Sequence, residues 1–306
     1  MRSPPQIGFL PDGRRLHLHD GPIDLIVEAF GAAPAVRQSY DAAIARFTTV
    51  LDELCGELAL LRGAVRPGVP RPRGRVALRM RRAVEPFAPA CFITPMAAVA
   101  GAVAEEVLAA MTGVADLTRA YVNNGGDIAL HLGPGAAFTV GMADDSERPA
   151  LFGDLRVEGD SDVRGIATSG WRGRSFSLGI ADAVTVLAST AAAADAAATV
   201  IANAVDLPGH PAVLRVPACT LQPDSDLGDR AVTRAVGSLT PDEIETALDA
   251  GAACARRLAA RGLISAAALN IQGETRIVGL SAQPEQALPF TAPVSMKQPI
   301  LEYADV

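Results

Sequence analysis

The spacing of Asp195 and Thr199, four residues apart in an alanine-rich run, places a carboxylate and a hydroxyl on one face of a predicted helix. Hard oxygen donors of this kind suit Mg²⁺, which keeps several waters or phosphate oxygens in its other positions. The alternative is a surface helix with two polar residues, and the surrounding alanines weigh against it because they indicate close packing. The pair is a candidate metal site.

A glycine-rich turn, Asn123 to Asp127, joins two predicted strands. A hairpin accounts for the Asn-Gly step by itself. The doubled glycine next to a carboxylate also lets the backbone approach a ligand closely. Candidate ligand-binding residues are therefore Asn124, Gly125 and Gly126.

A second segment, Gly165 to Gly170, is interpreted as a turn with the hydroxyls of Thr168 and Ser169 between its glycines. Hydroxyls and loop amides can hold a phosphate or a carbonyl oxygen. The chain has no Gly-x-Ser-x-Gly pattern, so a serine hydrolase is disfavoured. Trp171 follows directly and is either a stacking partner for a ring or a surface anchor.

A third segment, from Met96 to Gly101, starts a predicted helix with almost no side-chain bulk. The free N–H groups and partial positive charge of such a helix start suit an anion. Tight packing against a neighbouring helix is the alternative explanation of the small residues.

Two carboxylates, Asp127 and Asp182, are candidate catalytic acid–base groups. A carboxyl buried among apolar residues acquires the raised pKa that proton transfer near neutral pH requires. This chemistry needs Asp127 and Asp182 to face one pocket, which the sequence cannot decide.

Composition narrows the classes of function. A net charge of −7 and a pI near 5.2 disfavour a general nucleic-acid binder. The four cysteines are far apart with no Cys-x-x-Cys pair, which argues against a zinc ribbon and a disulfide framework. We find no secretory signal and no apolar run of membrane-spanning length, the longest candidate being Ala183 to Val205, so a cytoplasmic protein without membrane contact is expected.

Periodicity predicts strands outnumbering long helices, hence an α+β or layered α/β fold. The predicted helices are 35–61, 94–111, 190–204 and 241–261, and the predicted strands are a hairpin over 15–30 together with 119–122, 128–132, 137–142, 151–157, 175–178, 183–188, 263–272 and 275–280. The Arg-, Pro- and Gly-rich stretch 62–75 is expected to be a loop that could join two lobes of a single domain, and 282–306 a surface tail.

In order along the chain, three of these motifs resemble the ApbE-like superfamily, which includes Mg²⁺-dependent enzymes that transfer FMN from FAD to a threonine or serine. They are Asn124-Gly-Gly-Asp127, Ala167-Thr-Ser-Gly170 and Ala194-Asp-Ala-Ala-Ala-Thr199. The whole chain is most similar to uncharacterised protein family 0280, through His19-Asp-Gly-Pro-Ile-Asp-Leu-Ile, Thr94-Pro-Met-Ala-Ala-Val-Ala-Gly, Tyr121-Val-Asn-Asn-Gly-Gly-Asp and Ser177-Leu-Gly-Ile-Ala-Asp-Ala-Val-Thr-Val.

The resemblance implies an ApbE-like α+β fold of antiparallel sheet layers packed with long helices, and it puts Asp195 and Thr199 at the family's metal ligands. It implies FAD or FMN and Mg²⁺ as cofactors. Two departures concern the chemistry: Ala100 precedes Gly101 where the transferases have lysine, and their His-x-x-x-Pro-x-x-Gly segment is missing.

The leading hypothesis is an ApbE-like protein that binds a flavin nucleotide or another small anionic ligand, assisted by Mg²⁺, with chemistry that has diverged from FMN transfer. The alternatives are a true FMN transferase, a flavin-free enzyme that uses Asp127 and Asp182, and a non-catalytic assembly partner. In the last case the arginine-rich segment Arg62 to Arg82 would meet an acidic surface. Homo-oligomerisation is left open.

Overall fold

The computed structural model describes residues 4–143 and 151–279. Its strands are β1 (Gln6–Phe9), β2 (Leu16–Asp20), β3 (Ile23–Phe30), β4 (Arg119–Asn124), β5 (Asp127–Leu132), β6 (Ala137–Ala143), β7 (Leu151–Glu158), β8 (Gly165–Ser169), β9 (Ala183–Ala188), β10 (Val213–Pro217), β11 (Ala231–Val236), β12 (Ala266–Ile271) and β13 (Glu274–Val278). Its helices are α1 (Ala33–Gly56), α2 (Leu58–Leu61), α3 (Arg75–Val84), α4 (Val99–Thr112), α5 (Ala191–Ala204), α6 (Ala218–Leu221) and α7 (Pro241–Ala260), with a 3₁₀ turn at Pro95–Ala98. The expected tail, 282–306, lies outside the described residues.

One sheet of nine strands, in the order β1-β2-β3-β4-β5-β8-β9-β12-β13, is antiparallel at every pairing. The longer helices pack on one face of it, and the main core lies between the two layers. These observations confirm the α+β prediction. A smaller apolar cluster on the opposite face is covered by the hairpin β6–β7.

Alternation decides which side chains of a strand face the helices. On β5, Ala129 belongs to the main core while Leu130 belongs to the cluster under the hairpin. Asp127 therefore shares the helix-facing side with Ala129. On β8, Ala167 faces the helices and Ile166 faces the hairpin.

Two glycines let the helical layer approach its neighbours closely. A Cβ at Gly101 in α4 would collide with the backbone carbonyl of Ala191 at the start of α5. A Cβ at Gly165 in β8 would collide with the backbone of Thr190. The small residues at the helix start from Met96 to Gly101 therefore have a packing role, in agreement with the alternative explanation given in the sequence analysis.

Most of the elements with strong local signals are confirmed. The hairpin over 15–30, the helices α1, α5 and α7, and the final hairpin β12–β13 all form within a few residues of the predicted bounds. Helix α7 begins with the capping box that Thr240 and Glu243 predict.

Several predicted elements are wrong. The segment from Gly165 to Gly170 is strand β8 rather than a turn, because its residues pair with β9 while its first glycine accommodates the start of α5. Residues 175–178 do not form a strand, and β1, α3, β10, α6 and β11 were not predicted. Thr94 is a residue type that often caps a helix start, but here its hydroxyl donates to Asp226 at 2.5 Å and does not cap the 3₁₀ turn.

Several arginines of the arginine-rich segment Arg62 to Arg82 form ion pairs within the fold. Arg75 and Arg79 each reach a carboxylate oxygen of Glu106 at 3.0 Å, and Glu106 is only 1% exposed. Arg62 pairs with Asp224 at 2.7 Å. Arg46 of α1 also reaches Glu106, at 2.9 Å, so this buried carboxylate is held by three arginines and ties α1 and α3 to α4.

Among the described residues, one helical stretch, Pro95–Thr112, is long and apolar enough to cross a membrane. The sequence expectation overlooked this stretch and named Ala183 to Val205 as the longest candidate. With 56% of its residues buried inside the structure, the stretch has the character of a core helix.

Candidate functional site

Asp127 is positioned by the tight turn between β4 and β5. Gly125 and Gly126 have φ of +64° and +111°, values that favour glycine, and the side chain of Asn123 accepts the N–H of Gly126 at 2.8 Å. The turn places Asp127 at the first position of β5, where its carboxylate accepts the N–H of Thr168 at 3.2 Å.

Asp195 comes from the second turn of α5 and points at the first turn of α4. Its carboxylate accepts the N–H of Gly101 at 3.1 Å, and therefore satisfies a backbone donor that the helix leaves free. The side-chain amide of Asn124 donates to the carbonyl of Ala100 at 3.2 Å, which fixes the turn of β4–β5 to the same helix start. Three elements thus meet at one point.

The two carboxylates influence each other. Burial raises the pKa of Asp127 well above its ordinary value, and the charge of nearby Asp195 raises it further against the opposing hydrogen bond from Thr168. Burial raises the pKa of Asp195 to about 7, although the N–H groups of Gly101 and Ala100 act in the opposite direction. Two neighbouring carboxylates of this kind either share a proton or share a cation.

The donor set fits a hard divalent cation. Thr199 lies one helical turn beyond Asp195, and its side-chain hydroxyl makes no hydrogen bond within the part of the chain that the structure describes. That same part contains no group of three or more His, Cys, Asp and Glu side chains suited to a metal. Two carboxylates and a hydroxyl would leave several positions to water or phosphate oxygens, which is the coordination that Mg²⁺ prefers.

The hydroxyl of Thr168 is directed away from the carboxylate pair. It lies 2.9 Å from the hydroxyl of Thr185 on the sheet face opposite the helices, so Thr168 serves the site through its backbone N–H. Ser169, the next residue, alternates to the helix-facing side of β8. Met96 packs half-buried against the helical core.

Asp182 belongs to a separate cluster. One of its carboxylate oxygens accepts from the indole of Trp171 at 2.9 Å and from Arg172 at 2.7 Å. The other accepts the N–H of Gln272 at 2.6 Å. Gly170 lies so close to Asp182 that a Cβ there would collide with the Asp182 carbonyl. These contacts fasten the loop 170–182 to the end of β12.

The structure therefore brings Asp127 together with Asp195, where sequence reasoning paired it with Asp182. The nearness of Asp127 and Asp195 was missed because 68 residues separate them and no local pattern reports it. The ring of Trp171 already donates its N–H to Asp182 and lies under the guanidinium of Arg172, 4.8 Å from its centre.

A cavity of about 220 Å³ lies further along the same helix–sheet interface, between α4, β5 and the start of α5. Its polar lining is engaged within the protein: Glu105 accepts from Arg79 and from the N–H of Ala192, and Arg164 donates to three backbone carbonyls. It does not include the candidate residues of the carboxylate pair.

A family model described as AbpE bacteria matches residues 7–277. A UPF0280 protein of Methanopyrus kandleri is 43% identical over 129 residues, which cover 42% of this chain and 48% of that protein. A UPF0280 protein of Methanothermobacter thermautotrophicus is 42% identical over 118 residues, covering 38% and 44%. The chain thus spans about half the length of the curated relatives it matches.

Among solved structures, the fold is similar to the apo form of the flavinyl transferase ApbE from Pseudomonas stutzeri. The TM-score is 0.41 with 11% sequence identity, over 92% of this chain and 99% of that one.

Proposed function

The chain belongs to the bacterial AbpE family, and from that premise we propose that it binds a phosphate-bearing flavin nucleotide through Mg²⁺ held by Asp127 and Asp195. The observation that carries the proposal is the meeting of these two carboxylates, from β5 and α5, at the first turn of α4. Burial raises the pKa of Asp127 and the charge of Asp195 raises it further, and a divalent cation would relieve the repulsion between the two carboxylates.

Each residue has a distinct part in this proposal. Asp127, Asp195 and the Thr199 hydroxyl would hold the cation, which supplies charge stabilisation and polarises a bound phosphate. The backbone around Gly125 and Gly126 gives the ligand close access because neither glycine carries a side chain. Asp182 is a positioning residue that keeps the loop after β8 in place.

FMN transfer itself is not included in the proposed function. Ala100 stands where the transferases that this chain resembles have lysine, and their histidine-containing segment is replaced by Phe176 to Ala183. We therefore propose a flavin-transferase-related protein in which cation and phosphate binding are retained and the reaction differs.

The test is a calorimetric titration with FAD, in Mg²⁺ and in EDTA. We expect binding that requires Mg²⁺ and is lost in Asp195→Asn. The matched control is Asp41→Asn, which removes an exposed carboxylate on α1 and should bind as the wild type does. FAD binding that is equally tight in EDTA, or unchanged in Asp195→Asn, would contradict the proposal.

A second candidate function is acid–base catalysis on a small anionic metabolite without a metal. It is favoured by one observation: the pKa of Asp195 is raised to about 7, close to the pH at which a general acid–base group works best. Here Asp127 and Asp195 would share one proton. Ligand binding or turnover that persists in EDTA, with a pH profile lost in Asp195→Asn, would select this function over the first.

A further inference from the structure

Arg174 lies at the tip of the β4–β5 turn, on the loop that follows β8. Its guanidinium nitrogen Nη1 is 3.4 Å from the position that a Cβ would occupy on Gly125. Arg174 is exposed, and within residues 4–143 and 151–279 it makes no hydrogen bond or ion pair. A guanidinium with no partner among the described residues thus lies over the glycine turn that leads into Asp127.

The position of Arg174 is held by the contacts on either side of it. Upstream, Trp171 and Arg172 are bonded to Asp182, and the N–H of Trp171 donates to the carbonyl of Ala181 at 3.0 Å. Downstream, Asn203 of α5 accepts the N–H of Leu178 at 2.9 Å. The loop is therefore fastened at both ends, which leaves Arg174 at a defined place beside the turn.

The turn itself leaves room for a ligand between these charges. Among the described residues, and apart from its chain neighbours, Gly126 has nothing within 4 Å of the position of a Cβ, and at Gly125 the only such atom is Nη1 of Arg174. In the proposed function the carboxylate pair below the turn would hold a cation, and an anion bound to that cation would extend outward past the glycines. A guanidinium fork is well suited to phosphoryl oxygens.

On the basis of the proposed function, we propose that Arg174 is the anion-binding residue of this site and contacts the phosphate of the nucleotide over Gly125. The carboxylate pair and Arg174 would then select together for ligands that join a cation to a phosphate. A neutral ligand of the same ring system would gain nothing from Arg174.

The experiment measures FAD affinity in Mg²⁺ and the affinity for Mg²⁺ alone, in the full-length wild type, Arg174→Gln, Arg174→Lys and Arg256→Gln. Arg256 is an exposed arginine on α7 and serves as the matched control. We expect Arg174→Gln to weaken FAD binding about tenfold, or about 1.4 kcal/mol, with a smaller loss in Arg174→Lys. Mg²⁺ affinity should stay within about twofold, because Arg174 is not a ligand of the cation.

The two proposals fail in different ways. If the wild type binds FAD with Mg²⁺ and Arg174→Gln binds it equally well, the role of Arg174 is overturned while the cation site stands. If Arg256→Gln weakens binding as much as Arg174→Gln, the effect is general electrostatics, and the role of Arg174 is again overturned. If the wild type binds no FAD in Mg²⁺, both proposals fall.

Discussion

Replacing Asp195 with asparagine should stabilise the metal-free protein at alkaline pH, although it removes a proposed ligand of the cation. The pKa of Asp195 is raised by burial to about 7 from an ordinary 3.8, so the folded protein keeps a proton that the unfolded chain loses near pH 4. Because the folded state binds the extra proton, the free energy of unfolding falls as the pH rises from about 4 to about 7.

The size of the effect follows from that difference. About three pKa units, at about 1.4 kcal/mol each, set an upper limit of about 4 kcal/mol on the destabilisation above pH 7. Asp195 is half-buried and lies beside Asp127, so partial contact with solvent and sharing of a proton with Asp127 reduce the expected value to about 1–3 kcal/mol. Asparagine is neutral at every pH, and its side-chain oxygen can still accept the N–H of Gly101.

The assay is urea unfolding in EDTA at pH 5.5, 7 and 8.5. The wild type should lose stability over this range, and Asp195→Asn should lose less and be more stable than the wild type at pH 8.5. Added Mg²⁺ should restore the wild type at pH 8.5, by about 2.7 kcal/mol at a hundredfold excess over the Kd, and leave Asp195→Asn unchanged. A wild-type stability that is flat across this range, or an Asp195→Asn protein less stable at pH 8.5, would refute the reasoning.

Two further predictions concern the elements that hold the site. Gly101→Ala should lower the free energy of unfolding by about 1–3 kcal/mol because its Cβ would collide with the backbone of Ala191. The control Gly56→Ala, in open space at the end of α1, should be neutral or stabilising. Equal unfolding midpoints for the two variants in urea would contradict this prediction. Asp182→Asn should shift the fluorescence emission of Trp171, the only tryptophan in the sequence. It should also lower the free energy of unfolding by about 1–3 kcal/mol, because a charged hydrogen-bond acceptor is lost. An unchanged emission spectrum would show that Asp182 does not anchor the loop.

Short sequence patterns correctly predicted the helices and hairpins that are specified by interactions between residues close in sequence. The Asp20-Gly21 turn predicts the hairpin β2–β3, and the capping box at Thr240 predicts the start of α7. Strand β8 escaped this reasoning because its flanking glycines are typical of turns. The structure uses Gly165 for close approach of α5 and Gly170 for close approach of Asp182, which are tertiary requirements that a short window cannot report.

The same difference between local and tertiary requirements applies to the candidate site. Sequence patterns identified Asp127 and Asp195 separately, each with a reason of its own, but their proximity depends on how β5 and α5 pack around the start of α4. The sequence also suggested the Thr168 hydroxyl as a phosphate ligand, whereas the structure directs that hydroxyl to Thr185 and turns the Thr168 N–H toward Asp127. Whether a polar residue serves a site through its side chain or its backbone depends on strand alternation in the finished sheet.

The site combines rigid and replaceable parts, and this bears on how its chemistry could diverge within one family. Asp127 and Asp195 project from a strand and a helix of the main core, and their backbone partners, Thr168 and Gly101, belong to equally regular elements. The loop with Arg174 contributes no strand to the sheet and is held by the side chain of Asp182 and by backbone hydrogen bonds such as that from Trp171 to Ala181. We therefore expect that, if the proposed site is correct, a change in that loop would alter the anion that binds without moving the carboxylate pair.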